Sequence, residues 1–512
     1  MNKNIFLFLF YFFSAAFLYP SLKYYIDSAD TLQYITIAKN YSEGNFADAV
    51  NSFWSPLISW LLVPFIRLGS EPVFAFKVLQ VIIGFFTLKL LFYFIEQSNS
   101  GKFIRIALSS ACVPLVLSYA YLFSTPDLLL LTFYLWFVSL LKNKRPYLLI
   151  GICGVAIYLT KGFGFAFFIV AFAIAILYKA FEGEIEKKKI VAILVRGYGI
   201  FFLLCAPWIY FVSKKENHLV FSTAGETALN LINPKINPDP FDDIHYPFEN
   251  GMLSTPPPHA ISAWIYPNHL IESRWNPFVS AENFQHYLKV ILRNIISVGS
   301  FHFGKDTGTI LVLVLILLFA VRKADWKSML KENAFLLITC ITCTVLYTLL
   351  ITIHRYLWIN DVAIIILFSA AVQKLFLWKR WAGFAALTTF IFLLLYSPVK
   401  SIKENINEYK EIYTASHVLK DKYHFEGNIV SLIDSFPDMN HRLSHLVCYY
   451  TGSRYYGMAG EHNVSELEAQ KINFVLSWSH PVAWLEKNIQ ILKVIQLPEI
   501  NLTVYQINSG GN

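Results

Sequence analysis

Long apolar runs, broken by short charged or proline-bearing segments, fill positions 1–399 and predict helices that cross a membrane. A hydrocarbon core needs roughly 20 apolar residues, and about eleven runs approach that length. They lie near 4–20, 73–96, 104–122, 126–141, 147–161, 163–180, 190–212, 307–321, 334–353, 357–375 and 381–398. The stretch from Phe163 to Phe172 would be out of place on a soluble surface. Three segments are too polar to join the bundle: 21–72, 213–306 with its prolines (Pro234, Pro238, Pro240, Pro247, Pro256, Pro257, Pro258), and 400–512. The last returns to ordinary globular composition. Its β-like runs at 428–433 and 474–477 alternate with helical stretches at 404–422 and 463–471, predicting a small α/β domain of about 110 residues that can hold its own core. The predicted organisation is therefore a membrane domain at 1–399 and a soluble domain at 400–512.

Composition agrees: 56% of residues are apolar, 17% aromatic and only 15% charged. The Lys and Arg residues then set orientation. With the N-terminus inside, the inner connections 97–103, 142–146, 181–189, 322–333 and 376–380 hold Lys142, Lys144, Arg145, Lys187, Lys188, Lys189, Arg322, Lys323, Lys327, Lys379 and Arg380. An odd number of spans places the polar loops and the C-terminal domain outside, which predicts a multi-pass protein of a cytoplasmic (inner) membrane with an extracytoplasmic domain. The net charge of +8 is largely topological and makes no case for nucleic acid. Positions 1–20 read as a first span rather than a cleaved signal peptide, because removing them would invert every later loop. Cys112, Cys153, Cys205, Cys340 and Cys343 fall in spans and Cys448 outside, so no disulfide framework is expected. Cys340 and Cys343, lacking His or acidic neighbours in an apolar run, read as small buried residues.

Candidate chemistry gathers at the outer ends of the spans, where a charge must be paired, solvated or used. Asp30 follows the first span in Tyr24-Tyr25-Ile26-Asp27-Ser28-Ala29-Asp30, with Tyr34 and Ala38 at helical spacing and Gly44 and Trp54-Ser55-Pro56-Leu57 beyond. Lys161 closes a span, Arg355 sits in His354-Arg355-Tyr356 between two others, and Asp127 follows Thr125-Pro126 on the same side. Each has a bland alternative. The two cations reach headgroups by snorkelling, Asp127 caps a helix start, and Asp30 decorates a solvated loop. Together, cations beside an acid suit a substrate that carries phosphate and a hydroxyl that must lose a proton. The long loop 213–306 groups Asp239, Asp242, Asp243, His245, His259 and His269 without fixed ligand spacing, so a divalent metal is conceivable but not indicated, and no cofactor is assigned. A flexible lid whose Trp264, Tyr266 and Trp275 contact sugar or lipid is the favoured reading of that loop. The aromatic run Tyr449 to Tyr456 is either an acceptor surface or a packed strand–turn–strand, and packing is the favoured reading.

At these residues the chain resembles the GT-C superfamily of polyprenyl-phosphate-dependent glycosyltransferases, in the branch of the protein O-mannosyltransferases and lipid A aminoarabinose transferases. Six motifs come in family order: Ala29-Asp30-Thr31-Leu32-Gln33-Tyr34, Ser55-Pro56-Leu57-Ile58-Ser59-Trp60, Thr125-Pro126-Asp127, Leu159-Thr160-Lys161-Gly162, Ala206-Pro207-Trp208 and His354-Arg355-Tyr356-Leu357. The resemblance implies a GT-C-type polytopic helical fold and makes Asp30 the catalytic base. It assigns Lys161, Arg355, Tyr356 and His354 to the donor phosphate, and Tyr34, Asp127 and Trp54 to substrate. The implied partners are a polyprenyl-phosphate-linked sugar donor, such as undecaprenyl phosphate, a lipid, glycan or protein acceptor, and membrane lipids. Departures are local. Thr31 stands where the family usually has Glu, Trp54 and Ser55 replace a Lys and a first Pro, and no proline follows His354-Arg355-Tyr356. A flippase for a lipid-linked sugar and a non-catalytic membrane assembly protein are the alternative readings. A flippase should show repeated halves and polar residues midway along several helices.

Overall fold

The computed structural model describes residues 3–98, 100–242, 244, 246, 251–271, 274–303, 326–433, 437–478 and 483–508. Its first part is a helical bundle: α1 (Lys3–Leu22), α2 (Ala29–Glu43), α3 (Phe46–Ala49), α4 (Leu57–Arg67), α5 (Pro72–Gln97), α6 (Lys102–Leu122), α7 (Asp127–Lys142), α8 (Tyr147–Thr160), α9 (Gly164–Phe181), α10 (Ile190–Glu216), α11 (Ala224–Leu231), α12 (Ala281–Phe303), α13 (Trp326–Glu332), α14 (Ala334–Thr348), α15 (Trp358–Trp378) and α16 (Arg380–Glu404). Ten of the predicted spans coincide with one of these helices, and 307–321 lies outside the described residues. Seven described helices are long and apolar enough to cross a membrane. Large apolar side chains such as Phe13, Phe17, Val195, Leu203 and Phe392 are exposed on them, as a lipid-facing surface requires.

Three of the helices that match predicted spans are short. α7, α8 and α14 have 16, 14 and 15 residues. At 1.5 Å per residue they are about 21–24 Å long, less than the ~30 Å of a hydrocarbon core. α7 begins at Asp127, α8 ends beside Lys161, and α14 ends shortly before Arg355, so all three stop at one end of the bundle. The missing turns leave a hollow there.

The polar segments are more ordered than the sequence predicts. The first, 21–72, holds α2 and α4, packed on each other. The second contains α12, a helix of 23 residues whose apolar and polar faces are separated. An amphipathic helix has too few apolar residues in a row to register as a span. Beyond α16 comes a domain of α17 (Lys410–Tyr423), β1 (Asn428–Leu432), α18 (Pro437–Thr451), β2 (Arg454–Ala459), α19 (Val464–Ala469), β3 (Phe474–Ser477), α20 (Ala483–Asn488), β4 (Ile491–Leu497) and β5 (Leu502–Ile507). The sheet order is β2-β1-β3-β5-β4, with β1 parallel to both neighbours and β5 antiparallel to β3 and β4. One predicted detail changes. Tyr449 and Tyr450 lie on α18, Gly452 turns the chain at φ +82°, and Tyr455 and Tyr456 lie on β2, a helix–turn–strand. Aromatic residues serve both helix and strand, so the run alone did not fix the element.

Candidate active site

Arg355 is the centre of the site. It stands in a single 3₁₀ turn, His354–Leu357, that leads into α15, and its side chain is 14% exposed. Three carboxylates surround it. Nη1 donates to Asp27 Oδ2 at 3.2 Å and Nη2 to Asp30 Oδ2 at 3.3 Å. Nε lies 3.3 Å from Asp127 Oδ2, a charge contact whose angle is too poor for a hydrogen bond. The planar fork of a guanidinium can address several acids at once, which an ammonium cannot.

Each acid is placed by its local fold. Asp30 sits in the first turn of α2, where a negative charge suits the helix dipole. Its Oδ1 accepts from the Trp264 indole at 3.2 Å, and 26% of its side chain remains exposed. Asp127 opens α7 directly after Pro126 and is buried, accepting from Thr125 Oγ1 at 2.7 Å and from Lys161 Nζ at 2.7 Å. Asp27 lies between α1 and α2, receives the Ser124 amide and Thr31 hydroxyl at 3.0 Å each, and is buried. Burial pushes its carboxyl upward, while Arg355 and buried Lys77 pull it back. In the sequence Asp27 is no more than part of the segment leading to Asp30. A carboxylate three residues before another at a helix start was the available signal.

Lys161 is the C-cap of α8, where the backbone turns extended. Its ammonium lies 3.4 Å from the centre of the Tyr356 ring as well as on Asp127. Tyr356 stacks on Tyr347 at 4.7 Å. The following Gly162 is held to its small size, since a Cβ there would come within 2.3 Å of Ser222 Oγ.

These groups line one cavity of about 820 Å³ at the end of the bundle where the short helices stop. Asp30, Tyr34, Trp54, Asp127, Lys161, Arg355 and Tyr356 all face it, and the remaining wall is mostly apolar and aromatic. Trp54 packs edge-on against buried Tyr34 at 5.2 Å and donates its indole N–H to the Trp264 carbonyl at 3.4 Å. Tyr356 presents its ring to Lys161.

His354 does not join this group. It turns away to a second cavity of about 110 Å³ between α6, α15 and α16, where Nε2 lies 3.2 Å from Asp361 Oδ2 and Tyr119 donates to the same oxygen at 3.1 Å. Successive residues of a tight turn point in different directions, so His354 could not follow Arg355.

Among the described residues no three His, Cys, Asp or Glu side chains are grouped to hold a metal ion. Where Asp27, Asp30 and Asp127 converge stands the Arg355 guanidinium. Asp243 and His245 of the long loop lie outside the described residues. The lid expected across that loop is, over 251–271, bonded to both domains, with Trp264 reaching the acid itself.

The fold is a bundle with short helices around a polar hollow, with helices in the first polar segment and an appended α/β domain. A solved structure shares it: the oligosaccharyltransferase of Archaeoglobus fulgidus, crystallised with zinc and sulfate, superposes with a TM-score of 0.52 at 14% identity over 88% of this chain. The chain covers 64% of the length of that protein. No protein-family profile matches the sequence, and neither does any curated protein.

Proposed function

We propose that this chain is an inverting glycosyltransferase that moves a monosaccharide from a polyprenyl-phosphate donor to a hydroxyl of a lipid, glycan or protein acceptor. The observation that carries the reading is that Asp30, Lys161 and Arg355, from three distant segments, face one largely apolar cavity. The site would lie on the outer face of a cytoplasmic membrane, as the distribution of Lys and Arg supports.

The chemistry follows from the groups present. Asp30 accepts the acceptor's hydroxyl proton as that oxygen attacks the anomeric carbon. The bond from anomeric carbon to phosphate oxygen breaks, and its electron pair leaves on the lipid phosphate. Attack opposite the leaving group inverts the anomeric centre. Lys161 carries three N–H donors, and its contact with Asp127 leaves donors for the developing phosphate charge. Arg355 holds Asp30 and adds positive charge at the same place. Arg355 is already engaged by three carboxylates, so an incoming phosphodiester depends on Lys161 at the edge of the group. The apolar wall suits an isoprenoid tail.

The test is transfer from undecaprenyl-phosphate-linked hexoses and pentoses by purified protein, read as release of lipid phosphate, for wild type and Asp30→Asn. Wild type should release lipid phosphate when an acceptor is present, and the variant should bind donor yet barely turn over. Near-normal turnover by Asp30→Asn removes it as the base. Donor binding without cleavage across a broad acceptor panel would favour transport of the lipid-linked sugar.

A further inference from the structure

Residues 251–271 form a strap bonded on two sides, and Trp264 within it lines the cavity. On one side it is bonded to the soluble domain. The Ser254 amide donates to the Tyr456 carbonyl at 2.8 Å and the Tyr455 amide to the Ile261 carbonyl at 2.7 Å. Leu253 and Ser262 form isolated β-bridges with Gly457 and Tyr455, and the Arg454 guanidinium donates to the Pro256 carbonyl. On the other side the strap is bonded to the bundle. Asn51 Nδ2 donates to the Ile265 carbonyl at 2.7 Å, and the Lys215 ammonium donates to Tyr266 Oη at 2.5 Å. Trp264 sits between these anchors. Its indole N–H reaches Asp30 Oδ1 at 3.2 Å, its carbonyl receives the Trp54 indole, and Tyr246 packs edge-on against its ring at 5.6 Å.

We propose that Trp264 is the positioning residue for Asp30, and that the C-terminal domain sets its place through the strap. The inference rests on the reading of Asp30 as the base. A carboxylate held by Arg355 through Oδ2 alone can still turn about its last torsion, which is broad and nearly two-fold. A second donor on Oδ1 fixes the carboxylate plane. The lone pairs left over then face the cavity, where an acceptor hydroxyl must arrive. An indole N–H suits the task because it donates without accepting, so it cannot compete for the proton that Asp30 takes. Its ring also brings enough apolar surface to stay packed edge-on against Tyr246. The soluble domain is thereby part of the catalytic apparatus. Loosening β2 from the strap should misplace a carboxylate on a different domain.

The experiment uses full-length protein with ¹⁵N-labelled tryptophan in detergent, the Trp264 indole resonance being assigned by its loss in Trp264→Phe. That resonance should move in Asp30→Asn, where the charged acceptor is gone, and also in Arg454→Ala, where the strap's side-chain anchor on the soluble domain is lost. In turnover, Trp264→Phe should lower kcat by about tenfold or more with donor KM unchanged, since a misplaced group costs rate rather than binding. Arg454→Ala should act in the same direction, and the double variant should be no slower than Trp264→Phe alone, because both remove one coupling. An indole resonance unmoved by Arg454→Ala, or a Trp264→Phe kcat within about twofold of wild type, overturns the proposal. An active Asp30→Asn enzyme would instead strike the base assignment, and the resonance measurement separates the two failures.

Discussion

Replacing Arg355 by Lys keeps the charge of the site and removes only its geometry. The guanidinium meets Asp27 and Asp30 with two different nitrogens at 3.2 and 3.3 Å and lies 3.3 Å from Asp127 with a third. An ammonium is a single point, and from this backbone position it can satisfy one of the three acids well. Hydrogen bonds to charged groups contribute about 1.5–3 kcal/mol each, so losing one to two of them costs about 1.5–6 kcal/mol of folded-state stability. The larger figure applies if buried Asp27 is the acid left unpaired, because an uncompensated buried charge is the expensive outcome. Asp30 also loses its anchor on Oδ2, and an error of about 1 Å in a reacting group costs about 10²-fold in rate. Arg355→Lys should therefore melt earlier and turn over about a hundredfold more slowly, and Arg355→Met, which leaves three acids facing each other, should be worse in both. Thermal unfolding in detergent and lipid-phosphate release at saturating donor measure the two effects. Wild-type melting and turnover in Arg355→Lys would refute the reasoning, since total charge rather than the three-way fork would then be all that matters.

His354→Gln should leave donor KM and turnover within about twofold of wild type while lowering thermal stability, because His354 pairs with Asp361 in the second cavity; a raised donor KM would return it to the phosphate site. His445 in α18 is buried, and burial pushes its imidazole down to about 4. An ordinary histidine near 6.5 in the unfolded chain then takes up a proton first, so stability is full above about pH 6.5 and falls as pH drops toward about 4, by up to about 1.4 kcal/mol per pH unit. His441 beside it is lowered for the same reason and adds in the same direction. Melting curves between these limits should be flatter for His445→Gln than for wild type, and parallel curves would exclude the effect.

The apolar periodicity by itself determined that this is a polytopic membrane protein, because no soluble surface tolerates ten such runs and each lies within a few residues of a helix. It also located the tail as a mixed domain and found β1 and β3, where short apolar runs are buried almost throughout. Motif order singled out Asp30, Asp127, Lys161, Arg355 and Tyr356, which the fold brings to one cavity; a charge at the end of an apolar run stands out from its surroundings. The sequence could not say how these charges pair. Lys161 and Asp127 are 34 residues apart and Arg355 and Asp30 are 325 apart, so their contacts follow from where helices stop and cross, not from local pattern. The same holds for Trp264 on Asp30, across 234 residues. For His354 only the turn decided: one residue from Arg355, it faces another cavity. Spans are fixed by short-range periodicity and the cost of bare backbone in lipid, whereas a site built of paired charges is fixed by tertiary packing, which brings each charge the partner that makes its burial tolerable.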